Sequence, residues 1–183
     1  MRASTFAAAL ILALASPAVV QAQEPAAAPA PTPAANPDDV SSPEALITAV
    51  YDVISGDAGV ARDWDRFRTL FHPAGRLIPS GPRADGSIAA SSLTPEDYVT
   101  RAGPQLERDG FHEIEIASTS ERFGSVVHVF STYEARRSLD DAEPFLRGIN
   151  SFQLMFDGTR WWILTIYWRA EDDSLPIPAE YLP

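Results

Sequence analysis

The chain has 183 residues, a formal charge of −11 and no cysteine, and its fourteen basic residues are all arginine. That balance argues against nucleic acid and anionic membrane surfaces as partners. Without Cys or Lys there can be no disulfide, thiolate catalysis, Schiff base or P-loop.

Met1–Ala22 reads as a secretory signal peptide: Arg2, the apolar stretch Phe6–Ala15, and the small-x-small ending Val20-Gln21-Ala22, with cleavage after Ala22. The apolar stretch is too short to span a bilayer. The mature protein is therefore expected in the periplasm or secreted, with no membrane association after cleavage. Residues 23–40 are dominated by Ala and Pro and are expected to be a disordered linker. A single domain is expected over 41–170, followed by an acidic, Pro-containing tail over 171–183.

Ser42-Pro43-Glu44 is a helix start, with a hydroxyl cap, proline at the first helical position and an acid in the first turn. Leu46, Ile47, Val50, Val53 and Ile54 follow at helical spacing, and Gly56 ends the run. A second helix is predicted over Asp63–Phe71, with Trp64, Phe67, Leu70 and Phe71 as its apolar stripe, stopped by His72-Pro73. Arg76–Ile78 suits a short strand and Pro79–Ser87 a turn. Thr94-Pro95-Glu96-Asp97 opens a third helix with a capping box, ending before Gly110. Strands are predicted over Phe111–Ser118, over Glu121–Arg136 with at most an interruption at Gly124, and over Arg147–Phe156. Asp157-Gly158 is a hairpin signal, and Trp161–Arg169 returns beside the preceding strand. Three helices followed by an antiparallel meander define an α+β domain.

If Asp157 and Gly158 form the turn, one sheet face carries Asn150, Phe152, Leu154, Phe156, Trp161, Ile163, Thr165 and Tyr167. The other carries Ile149, Ser151, Gln153, Met155, Trp162, Leu164, Ile166 and Trp168. The first is expected under the helices, continued by Val127, Val129, Ser131 and Tyr133. The second is expected as a homodimer interface made by His128, Trp162, Leu164, Ile166 and Trp168, because a wet aromatic patch of that size is unusual on a monomer. Intrachain cover by the tail is the alternative.

The stretches "DWDRFRTLFHPAGRLIP", "ERFGSVVHVFSTYEARR" and "RGINSFQLMFDGTRWWILTIYWR" resemble exported bacterial members of the nuclear transport factor 2-like superfamily, over about Pro43–Trp168. The resemblance implies three N-terminal helices on a strongly curved antiparallel sheet, cone-shaped with a cavity, often paired sheet to sheet. It also implies that Ser131, Tyr133, Asn150, Thr165 and Tyr167 line that cavity, with His72 and Tyr98 near its mouth. The superfamily contains ketosteroid isomerase, scytalone dehydratase, limonene-epoxide hydrolase, polyketide cyclases and non-catalytic domains, so fold does not decide the reaction.

Isomerases and hydrolases of this kind need a carboxylate inside the cavity, and none is predicted there. Glu134 has the wrong parity, and Glu113 and Glu115 oppose Ile114 and Ile116. His72 is the single acid–base candidate, since imidazole titrates near neutrality; the alternative is a helix-ending His-Pro pair. Tyr133, Asn150 and Tyr167 suit either a carbonyl clamp of neutral donors or a plain ligand pocket. His72, His112 and His128 lack metal-ligand spacing, and neither a metal nor a cofactor is expected. The expected function is an exported domain that binds a small hydrophobic ligand. An isomerase, dehydratase or cyclase acting on a small carbonyl or cyclic compound is the alternative, and a structural homodimerisation module the second alternative.

Overall fold

The computed structural model describes residues 34–183. The expected signal peptide and residues 23–33 of the expected linker lie outside the described residues. The rest of that linker is ordered: Asn36 caps a 3-10 helix, Pro37–Val40, whose Val40 enters the core. Arg66 grips the buried Asp39 with two hydrogen bonds of 2.8 and 3.0 Å.

Three helices follow their predicted signals. Helix α1 spans Pro43–Ile54 and is capped by Ser42; α2 spans Trp64–Leu70 and is capped by Asp63. Helix α3 spans Pro95–Asp109 and carries the full Thr94/Asp97 capping box. Leu46, Val50, Phe67 and Leu70 turn inward and meet the sheet. The buried Arg62 ties these helices together, donating to the carbonyls of Ile54, Gly56 and Leu106.

The six strands are β1 (Phe71–Pro82), β2 (Ile88–Ala90), β3 (His112–Phe123), β4 (Val126–Arg136), β5 (Leu146–Phe156) and β6 (Trp161–Ala170). They form one sheet in the order β2-β1-β6-β5-β4-β3. All neighbours are antiparallel except β1 and β6. The architecture is α+β, three helices packed on a mostly antiparallel sheet. Strand β1 is longer than predicted, and β2 was not predicted. The expected strand Glu121–Arg136 is instead split into a hairpin, because Gly124 adopts a left-handed φ of 59° and turns the chain.

The hairpin between β5 and β6 turns one residue later than Asp157-Gly158 implies. Phe156 pairs with Trp161, and the Asp157 amide donates to the Arg160 carbonyl at 3.2 Å. That shift preserves parity near the turn, so Leu154, Phe156, Trp161 and Ile163 share the inner face as expected. Two bulges then reverse parity farther along. On β6 the register slips between Leu154↔Ile163 and Gln153↔Thr165, leaving Leu164 as the extra residue. On β3 it slips between Glu115↔Tyr133 and Ala117↔Thr132, leaving Ile116. A bulge bends its strand and re-aims the residues beyond it.

The tail returns across the outer face. The Thr132 hydroxyl, 1% exposed, donates to the Tyr181 carbonyl at 2.7 Å, and the Phe130 and Tyr181 rings meet edge to face. Arg147 pairs with Glu171 at 2.5 Å.

Candidate functional site

Helices and inner sheet face enclose a cavity of about 200 Å³, lined mainly by apolar side chains from α1, α2, α3 and β6. A cavity of ~150 Å³ is enough to hold a benzene ring. This one suits a molecule about the size of a single substituted ring, and it is smaller than the sites that take drug-sized ligands.

A carboxylate lies in it. Glu113 pairs with Ala135, a buried inner-face residue of β4, so its side chain faces the cavity while Ile114, 40% exposed, faces out. Half-buried because the cavity is open, Glu113 is still far enough from bulk water that its charge is poorly solvated. Desolvation pushes its pKa up to about 7, opposed by one hydrogen bond from Asn150. Asn150 Nδ2 donates to Oε1 at 2.9 Å. Oε2 has no hydrogen-bond partner among the described residues.

Two phenols face the same space. Tyr98 is held on α3 by stacking on Phe67, with ring centroids 5.5 Å apart, and by the edge of Trp168 at 6.4 Å. Tyr133 projects across β5 at Gly148, where a Cβ would stand 2.6 Å from its hydroxyl. Neither hydroxyl has a hydrogen-bond partner among the described residues. Burial raises both pKa values, and the Glu113 charge raises them further, so both phenols stay protonated donors at neutral pH. A third phenol, Tyr51 on α1, is committed: it lies 2.7 Å from Ser131 Oγ and accepts from Asn150 at 3.0 Å.

Of the residues expected in the pocket, Tyr98, Tyr133 and Asn150 line the cavity. Ser131 is fully buried behind Tyr51. Thr165 and Tyr167 are corrections: the Leu164 bulge turns them to the outer face, where Tyr167 is 46% exposed. The same bulge corrects two expected interface residues, because Ile166 and Trp168 line the cavity. Trp162 stays outside but is occupied within its own chain. Its indole donates to Asp157 at 2.6 Å, and Arg160 stacks over its ring at 3.6 Å. Leu164 is half-buried at the bulge, and His128 lies 3.0 Å from the Ser151 hydroxyl on the outer face. His72 is a further correction. It sits where β1 loops away from β6, accepts from the Ala74 amide at 3.1 Å and abuts the edge of Trp162, outside the cavity lining.

Glu113 is the residue that sequence reasoning missed. Its parity is that of the buried Phe111, and that was the available signal; the Ile114/Ile116 pair pointed the other way because Ile114 is an apolar residue that faces out, ahead of the bulge at Ile116.

No protein-family model and no curated protein matches the sequence. Among solved structures, the chain is similar to a protein of unknown function with a cystatin-like fold from Nostoc punctiforme PCC 73102. The TM-score is 0.52 at 15% identity, covering 72% of this chain and 89% of that one. It is also similar to an NTF2-like protein of unknown function from Methylobacillus flagellatus KT, with a TM-score of 0.46 at 14% identity, covering 72% and 95%. A third is a hypothetical protein with a ketosteroid isomerase-like fold from Catenulispora acidiphila DSM 44928, in complex with trimethylamine. Its TM-score is 0.42 at 18% identity, covering 78% and 99%. Identities this low speak for fold alone.

Proposed function

We propose that the protein binds a small, neutral, ring-sized carbonyl compound in the inner cavity and moves a proton on it. The observation that carries this reading is Glu113, an inward carboxylate whose pKa of about 7 suits a general base at neutral pH. Its free Oε2 would take a proton from the carbon next to the carbonyl. Tyr98 and Tyr133 would donate to the oxygen where negative charge develops, and as preset neutral donors in an apolar wall they would need little reorganisation. Expecting no cavity acid favoured plain binding; with Glu113 inside, proton transfer comes first.

Deuterium exchange tests this. A panel of monocyclic ketones and enones is incubated with the protein in D2O and followed by NMR. Glu113-dependent exchange next to the carbonyl is expected, falling at least about 100-fold in Glu113→Gln, the usual weight of general-base catalysis. Exchange no faster than in buffer, or equal in the variant, would reject it.

The export signal in the sequence supports delivery to the periplasm or medium, and the exposed Val126 and Tyr167 support a second copy meeting the outer face. Native mass spectrometry of the protein from its own host reads both. Cleavage after Ala22 and a two-chain mass are expected; an uncleaved chain or a lone subunit counts against the respective claim.

A further inference from the structure

We infer that Glu115, an exposed residue on the same face of β3 as Glu113, fixes the direction of a hydrogen-bond chain that ends on Glu113, and so acts as a positioning residue for that carboxylate. The chemical consequence rests on the proton-transfer reading above; the hydrogen-bond chain itself does not.

Counting protons sets the direction. An ionised carboxylate can only accept. Glu115 accepts from Ser118 Oγ at 3.1 Å through one oxygen and from Ser131 Oγ through the other. Ser131 has one hydroxyl proton, and Glu115 takes it. Its oxygen, 2.7 Å from the Tyr51 hydroxyl, must therefore accept, and Tyr51 must donate. Tyr51 then has no proton left, so its oxygen accepts from Asn150 Nδ2 at 3.0 Å. This turns the NH2 side of the Asn150 amide toward α1, and its second N–H meets Glu113 Oε1 at 2.9 Å. Each proton in the chain points toward Glu115, and the last amide proton is left for Glu113.

Reversing the chain changes what Glu113 meets. A glutamine at 115 can donate its NH2 to Ser131. Ser131 then donates to Tyr51, Tyr51 donates to Asn150, and the amide turns its oxygen to α1. That oxygen also faces Glu113, where it can only accept from a protonated carboxyl. The chain directed toward Glu115 thus favours the Glu113 carboxylate, and the reversed chain favours the acid.

The groups facing Glu113 are Tyr51 from α1, Tyr98 from α3, Tyr133 from β4 and Asn150 from β5, with Glu115 two residues along β3; Arg169 of β6 acts on Tyr133. The phenols are neutral. The negative charge of Glu115, acting through space, would raise the Glu113 pKa. Removing that charge would lower it, whereas losing the directed chain raises it. The two mechanisms therefore predict opposite signs.

The test is a carbon-13 NMR titration of the Glu113 side-chain carboxyl in the full chain, with far-UV circular dichroism confirming the fold of each variant. Glu115→Gln is expected to raise the Glu113 midpoint by about one pH unit, the usual weight of one hydrogen bond to a charged group. Tyr51→Phe cuts the chain, so adding Glu115→Gln to it should shift the midpoint downward or not at all. A fall, or no change, on Glu115→Gln in the otherwise wild-type chain overturns the inference. No substrate enters the titration, so failure of the exchange assay leaves this result standing, and the two readings fail separately.

Discussion

Holding a carboxyl at a pKa of about 7 has a cost that pH exposes. In the unfolded chain Glu113 titrates near its ordinary value of 4.5. Below that pH both states are protonated and the site is neutral toward stability. Between about 4.5 and 7 the unfolded chain has released a proton that the folded chain keeps, so stability falls as pH rises. Glu113→Gln is therefore expected to leave stability unchanged at pH 4 and to raise it by about 2–3 kcal/mol at pH 8, as urea denaturation at the two pH values would read. Equal effects at both would mean that the carboxyl is not desolvated. Arg62 offers a contrast at the same scale. Its guanidinium is buried with backbone carbonyls from three segments around it, and burial lowers its pKa. Arg62→Ala would withdraw its donors from those carbonyls, of which Gly56 keeps the Phe111 amide at 3.0 Å.

Strand β6 shows how one inserted residue sets the character of the site. Because Leu164 bulges, Ile163 and Ile166 both face in, and Trp168 follows them. Deleting Leu164 would remove the extra residue and restore strict alternation with Thr165 still opposite Gln153 and Ile166 still opposite Phe152, so Thr165 and Tyr167 would stay outside and Ile166 and Trp168 inside. A cooperative unfolding transition is therefore expected to survive the deletion. Leu164→Ala, which keeps the residue count, should cost only about 1 kcal/mol by chemical denaturation, since this side chain is half-buried. Loss of the cooperative transition in the deletion variant would show that Leu164 is not a simple extra residue of the ladder. The helices were legible in the sequence because caps are local: Ser42 and Thr94 announce α1 and α3 without any knowledge of the fold. The inner face near the hairpin was legible too, since Phe152, Leu154, Trp161 and Ile163 alternate cleanly. Legibility ended at Ile114, an apolar residue that faces out, and at the bulge of Leu164. A bulge is a tertiary adjustment of the ladder with no composition of its own, so period-2 reading carries straight through it and inverts everything beyond. Thr165, Tyr167, Ile166 and Trp168 were all misplaced for that one reason, whereas Glu113 was misplaced because Ile114, ahead of the β3 bulge, is an apolar residue that faces out.

At the scale of the molecule, the tail is a structural component. Residues 171–183 shield Thr132, cover Phe130 and supply Glu171 to Arg147. They also form a groove of about 320 Å³ with the outer face, and Trp168 borders both this groove and the inner cavity. Truncation after Ala170 is expected to lower stability by about 2–3 kcal/mol and to expose an apolar surface that binds a hydrophobic dye. Thermal unfolding and dye fluorescence check the two halves, and an unchanged midpoint would mean that the tail only rests on the sheet.

None of the residues lining the inner cavity is basic, in a protein with fourteen arginines. An anionic substrate would find no counter-ion there, so carboxylated and phosphorylated metabolites are disfavoured at entry. For a neutral guest the same wall has a second effect. On the proton-transfer proposal, a proton passing from guest to Glu113 would move one negative charge across the cavity toward the phenols and leave the total enclosed charge unchanged. The apolar lining would then never have to solvate an added ion, only to let one change places.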